Sequence, residues 1–214
     1  MYYLQLFING IVAGFVYALF AVGLTMVYGV FRFINFAHGE LIAWGAYWAL
    51  LFSAPPFNLP VALAILPSVL LTVLMALAQD RWVYAPLRRS DRITLLIASI
   101  GASFLLRGAL QLFFGSDLKA HPMELKTGME FGDLFLTHVQ LAMVVVDLVF
   151  LSGLYLLLSR TLLGKCLRAV SDNLSLAGLM GIPLSRISTA VWTLGGGSHL
   201  WGVSFWPWTP IWSP

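Results

Sequence analysis

The chain has 214 residues, 60% of them hydrophobic and only 10% charged, with a mean hydropathy of +0.89, where a soluble domain carries roughly 25% charged residues. That composition belongs to a membrane protein, and at about 20 residues per span the length allows five or six spans and no large catalytic domain. The net charge of +3 does not signal nucleic acid, because the basic residues gather in loops on one side, and the single cysteine, Cys166, excludes an internal disulfide or a cysteine-based metal cluster.

The first apolar run, Leu4 to Val30, contains no charged residue and is long enough to cross. It lacks the basic start and short apolar core of a cleaved signal peptide, so it is expected to remain as span one. Gly10 and Gly14 form a GxxxG spacing that permits close helix approach. Phe31 to Glu40 then leads into an apolar run from Leu41 to Phe52, too short to cross alone. Two readings are open there: a helix starting near Asn35 with His38 and Glu40 in its first turns, or a broken or re-entrant element packed against other helices. Pro55 and Pro56 end it. The third run, from about Leu59 to Ala78, spans despite Pro60 and an expected kink at Pro67.

Gln79 to Arg92 reads as a polar loop with Arg81, Arg88, Arg89 and Arg92. Span four runs from about Ile93 to Phe114 and carries Arg107; a second polar loop, Gly115 to Thr137, holds Lys119 and Lys126. Span five covers about His138 to Leu158 with Asp147 near its middle, and a basic amphipathic stretch, Ser159 to Arg186, follows with Arg160, Lys165, Arg168 and Arg186. If residues 35 to 53 cross once, alternation puts nine Lys/Arg on one side and two on the other. The positive-inside rule then assigns the nine to the cytoplasm and the N-terminus to the outside.

A sixth apolar run begins at Ile187, and Gly195, Gly196 and Gly197 are expected to interrupt it. The remainder to Pro214 is crowded with Trp and Pro, either as an interfacial tail or as the product of a shifted reading frame in GC-rich DNA. The chain therefore divides into a transmembrane region, residues 1–194, and an atypical tail, residues 195–214.

Charges inside a span cost about 2.5 to 3.5 kcal/mol each, so Arg107 and Asp147 require an explanation. Counted from the outer ends of their helices they lie at depths of about 10 and 13 Å. They are expected to meet as an ion pair locking two helices, or else to line a path. Asn35, His38 and Glu40 read either as a solvated helix start with Asn35 as N-cap, or as a half-helix end beside a translocation path. No second His stands at ligand spacing to His38, so no metal site is expected. Gly-x-Ser-x-Gly, His-Glu-x-x-His and a phosphate-binding Gly-rich loop with Lys-Ser/Thr are all missing, so the chain reads as a non-enzyme.

Two stretches together resemble a known family. Gly23-Leu24-Thr25-Met26-Val27-Tyr28-Gly29-Val30, followed by Ile34-Asn35-Phe36-Ala37-His38-Gly39-Glu40 and Gly45-Ala46-Tyr47, looks like the N-terminal signature of the LivH-type permease subunit of branched-chain amino acid ABC transporters. Gly164-Lys165-Cys166-Leu167-Arg168-Ala169-Val170-Ser171-Asp172-Asn173, continuing through Ala177, Met180, Gly181 and Ile182, is similar to that family's cytoplasmic coupling segment. The resemblance runs from about Met1 to Thr193. Leu174, Ala177, Gly178 and Gly181 recur at helical spacing, so this segment is also expected to form a short helix with a small-residue face. A solvated loop bound to anionic lipid explains the basic residues but not that stripe.

The hydrophobic runs predict an all-α, polytopic helical bundle of five full spans and an incomplete sixth, and the resemblance implies that it lies in a bacterial plasma (inner) membrane. The implied function is uptake of branched-chain amino acids, with urea or short-chain amides as the alternative substrates and a non-transporting membrane scaffold as the alternative class. Implied partners are ABC ATPase subunits that use ATP and Mg, a second permease and a periplasmic or extracellular substrate-binding protein, besides membrane lipid; the chain itself would need no cofactor. Gly164, Arg168, Ala169, Asn173, Ala177, Met180 and Gly181 would couple to the ATPase within a segment spanning residues 160–186, and Asn35, His38 and Glu40 would border the path. Members of the family continue with further helices, so this chain reads as a permease cut short, its residues 195–214 loosely packed.

Overall fold

The computed structural model describes residues 2–88, 90–115, 129–131, 134–136 and 138–204. Helix α1, Tyr2–Phe31, is uninterrupted because thirty residues pass without a charge or a proline. It stops where Arg32 takes a left-handed φ of 58°, a conformation that reverses the chain, and the Arg32 guanidinium donates to the Ser171 carbonyl. Residues 33–37 return into the bundle without forming helix. The Ile34 carbonyl accepts from Ser99 Oγ at 3.2 Å and the Phe36 amide donates to the same oxygen at 3.3 Å.

Helix α2, His38–Ser53, therefore begins inside the bundle. His38 Nε2 meets the Phe20 carbonyl at 3.2 Å, about 16 Å back along α1 from its Phe31 end at the helical rise. Sixteen residues give about 24 Å, short of the hydrocarbon thickness, so the second passage is a broken element, an extended entry followed by a helix. Its far end packs Tyr47 and Trp48 against Phe114, whereas its entry lies beside the Arg32 turn. The broken reading holds, α2 is not itself a full span, and Asn35 is not its N-cap: that place belongs to Ala37.

Helix α3, Val61–Gln79, continues through Pro67, then through a π-turn, Asp80–Tyr84, into α4, Ala85–Leu87. Most of the expected polar loop is thus helical. Gln79, Asp80 and Tyr84 are buried and bond to neighbours, which supplies what solvent would otherwise provide. Helix α5, Arg92–Phe114, ends at Gly115 with φ 83°, and an antiparallel pair, β1 (Met129–Phe131) with β2 (Leu134–Leu136), lies within the second polar loop. Helix α6, His138–Arg160, buries Gln140, Asp147 and Leu154, seven residues apart, as a narrow stripe.

Helix α7, Leu162–Asp172, crosses tightly beneath α6 because Gly164 has no side chain: a Cβ there would overlap the Leu158 carbonyl. Helix α8, Leu174–Leu179, and helix α9, Leu184–Ser204, follow. The expected interruption at Gly195 does not occur. Gly195 and Gly196 are buried, and a Cβ at Gly196 would come within 3.2 Å of Ala76 and 3.3 Å of the Val73 backbone, so these glycines let α9 lie against α1 and α3. Gly195, Gly196 and Ser198 are accordingly packed and not loose, while residues 205–214 lie outside the described residues. Gly10 and Gly14, by contrast, have no neighbour within 4 Å.

Among the described residues four helical stretches are long and apolar enough to cross a membrane: Tyr3–Phe31, Leu63–Leu87, Arg92–Phe114 and Gln140–Arg160. The main hydrophobic core lies between α1, the π-turn, α7 and α9, around Val27, Tyr84, Val170, Val191 and Trp192. It occupies the Arg-rich end of the bundle.

Candidate functional site

The segment from α7 to the start of α9 is built by its caps. Thr161 Oγ1 accepts from the Gly164 amide at 3.1 Å and starts α7; Asn173 Oδ1 accepts from the Leu176 amide at 3.0 Å and starts α8. Gly181, at φ 79°, ends α8 while the Ile182 amide returns to the Ala177 carbonyl at 3.1 Å. Gly164, Leu167, Val170 and Ala177 are buried, and Lys165, Arg168, Ala169 and Asn173 face outward. The small-residue face is not one surface, because Ala177 points into the core while Gly178 and Gly181 are exposed. What α8 presents instead is apolar: Leu176 is 56% exposed, Leu179 85% and Met180 77%.

This surface lies at the end of the bundle where the basic turns converge. Ser171 Oγ donates to the Gly29 carbonyl at 3.1 Å, and Arg88 sits 5.0 Å from the centre of the Phe31 ring. Exposed large apolar side chains gathered on one short helix make a patch of the kind that binds a protein or a membrane surface.

Behind it runs a buried polar network that sequence reading missed. Arg88 Nη2 donates to both oxygens of Asp80, at 2.5 and 2.6 Å, and contacts Ser188, whose hydroxyl donates to Asp80 Oδ2 at 2.7 Å. Gln79 Nε2 donates to the Tyr84 hydroxyl at 2.9 Å, which donates to Asn35 Oδ1 at 2.7 Å. Asn35 Oδ1 also accepts from the Ala37 amide at 3.1 Å. The Tyr84 ring stacks on Trp192, centroids 5.2 Å apart and planes at 11°. A signal was available: no Gly or Pro separates Gln79, Asp80 and Tyr84 from the helix before them.

The three residues expected beside a path do not share one surface. Asn35 and His38 are each 2% exposed, Asn35 in the network and His38 against Phe20, whereas Glu40 keeps partial exposure. The expected Arg107–Asp147 pair is absent. Arg107 Nε lies 3.8 Å from Glu40 Oε1, while Asp147 Oδ2 is buried without a hydrogen-bond partner. Similar depth did not bring them together because α5 packs on α2, and α6 on α1 and α9. Trp44 Nε1, donating to the Leu106 carbonyl at 3.0 Å, fixes α2 beside Arg107. No group of three His, Cys, Asp or Glu suited to a metal occurs among the described residues.

Residues 6–198 match the family described as branched-chain amino acid transport system / permease component. The chain is 34% identical over 208 residues to the high-affinity branched-chain amino acid transport system permease protein BraD of Pseudomonas aeruginosa, covering 91% of this chain and 67% of that protein. It is 30% identical over 207 residues to the corresponding LivH proteins of Salmonella typhimurium and Escherichia coli, with the same 91% and 67% coverage. No solved structure matches.

Proposed function

Because this chain belongs to the family of branched-chain amino acid transport permease components, we propose that it is the transmembrane permease subunit of an ABC importer for branched-chain amino acids. In this reading it works in the bacterial plasma membrane with a second permease and an external substrate-binding protein. Paired ATPase subunits bind ATP and Mg, and their cycle switches the permease between outward- and inward-open states. The arginine-rich end is cytoplasmic and the exposed leucines of α5 and α6 face lipid or the second permease.

One observation carries the coupling role: Leu176, Leu179 and Met180 stand exposed on a capped, rigid segment at the arginine-rich end. Burying them in a groove of an ATPase subunit yields roughly 1.5 to 3 kcal/mol for each large side chain. Arg168 and Asn173 flank that contact; Gly164, Ala169, Ala177 and Gly181 shape the segment. Glu40 with Arg107 is the charged pair that borders the path, and Asn35 and His38 hold the start of the broken helix next to it.

The test is co-expression with candidate ATPase subunits, a second permease and a binding protein in cells lacking leucine uptake. Labelled leucine should accumulate, and Leu179→Glu should lower retention of the ATPase on tagged permease by about tenfold or more. Urea uptake without leucine uptake would move the assignment to the amide substrates. Normal ATPase retention by Leu179→Glu would remove the coupling assignment.

A further inference from the structure

Among the described residues, buried side-chain polar atoms without a hydrogen-bond partner are Asn35 Nδ2, Gln79 Oε1, Arg88 Nε, Trp192 Nε1 and Asp147 Oδ2. All but the last belong to the network joining the entry of α2, the π-turn and the base of α9. Buried polar groups are nearly always paired, so unpaired ones gathered in one network call for a physical reason.

The bonding around Tyr84 supplies one. Its hydroxyl stands between two carboxamides, donating to Asn35 Oδ1 at 2.7 Å and accepting from Gln79 Nε2 at 2.9 Å. What it leaves unpaired is complementary, a donor on Asn35 and an acceptor on Gln79. With the hydroxyl withdrawn, the two amides are chemically matched to bond each other directly, each donating to the other. The same four amide atoms thus have two bonding arrangements, one bridged by Tyr84 and one without it.

Tyr84 is also placed to be moved. It ends the π-turn, an irregularity often found at functional positions. Its ring stacks on Trp192 of α9, and Asp80 at the other end of the turn is held by Ser188 of α9. Helix α9 follows α8 after four residues, 180–183, so displacement of the docking segment is delivered to the base of α9. On the far side Asn35 fixes the extended entry of α2, which leads within five residues to Glu40.

We propose that Tyr84 is a two-position latch: its hydroxyl wedges Asn35 and Gln79 apart in one transport state and leaves them paired in the other, linking movement of α8 to the start of the broken helix. This rests on the importer reading for what drives it, but the two arrangements belong to the permease alone. Tyr84 acts here as a positioning residue.

Tyr84→Phe keeps the ring on Trp192 and removes the wedge. With spin labels at Leu179→Cys and Phe57→Cys in a Cys166→Ser background, the permease in nanodiscs should show two distance populations. Tyr84→Phe should shift their ratio about thirtyfold, the factor matching the loss of the two neutral hydrogen bonds of the hydroxyl. Adding Gln79→Leu, which prevents direct amide pairing, should reverse the shift. In the assembled complex Tyr84→Phe should raise ATP hydrolysis in the absence of binding protein by a similar factor and lower leucine taken up per ATP.

A merely structural Tyr84 predicts a different result, with folded yield and both activities falling together and the distance ratio unchanged. That outcome overturns the latch, as does an unaltered ratio in well-folded Tyr84→Phe. A distance shift in the labelled permease, together with failure of the unlabelled wild-type chain to retain any ATPase subunit, would keep the latch and overturn the importer reading instead.

Discussion

Gly23 is fixed by its surroundings and not by its own backbone. A methyl group there would overlap Ser198 Oγ and approach His38 Cε1 to 3.0 Å and the Gly195 carbonyl to 3.2 Å. Gly23→Ala is expected to cost about 1–3 kcal/mol through overpacking, read as a lower Tm in detergent, and Ser198→Ala should recover part of it. Asp80 is a second point of dependence, holding Arg88 and Ser188 together. Asp80→Ala should destabilise by about 1.5–3 kcal/mol, the range for hydrogen bonds to a charged group. Asp147 behaves oppositely: its buried oxygen has no partner, so Asp147→Leu should leave stability equal or raise it by about 1–3 kcal/mol. If Arg107→Leu lowered stability equally in the wild-type and Glu40→Gln backgrounds, the observed Arg107–Glu40 contact would have no energetic weight.

Elements here owe their limits to different causes. Helices α7 and α8 follow from local chemistry, since Thr161, Asn173 and Gly181 mark their ends in the sequence as clearly as in space. Thr161→Ala and Asn173→Ala should each cost about 1 kcal/mol, detected as faster amide exchange confined to α7 or α8 with little change in Tm. The start of α2 and the run of α9 follow from tertiary packing. Capping preference favoured Asn35 as a helix start, but its side chain is engaged by Tyr84, forty-nine residues away. Helix propensity argued against Gly195 to Gly197, yet at a crowded crossing the missing side chains are what permits the helix to fit.

At the scale of the molecule, the arginine-bearing turns belong to one end. Arg32 reaches Ser171, Arg88 reaches Ser188, and the core gathers behind them. Charge alternation along the chain had already separated that end, provided the second segment crossed. The crossing can be checked directly: Tyr3 and Phe57, both exposed and separated by α1 and α2, should lie on the same face of the membrane, with Leu179 on the other. In a Cys166→Ser background, a membrane-impermeant maleimide should label Tyr3→Cys and Phe57→Cys in intact cells and Leu179→Cys only after permeabilisation. Labelling of Tyr3→Cys and Phe57→Cys from opposite sides would make α2 re-entrant.

Composition and periodicity by themselves determined the membrane class, the helical fold and the ends of the short helices α7 and α8, because hydrophobic runs and caps are local quantities. The family resemblance read from Gly23 to Tyr47 and from Gly164 to Ile182 holds over residues 6–198. Partnerships across the bundle were decided only by the fold. Arg107 and Asp147 share a depth, but which helices stand side by side is set by packing, and α2 comes between Arg107 and the rest of the bundle. The network from Asn35 to Ser188 likewise exists only because the extended entry, the π-turn and α9 converge, burying polar groups whose need for partners then fixes how they meet.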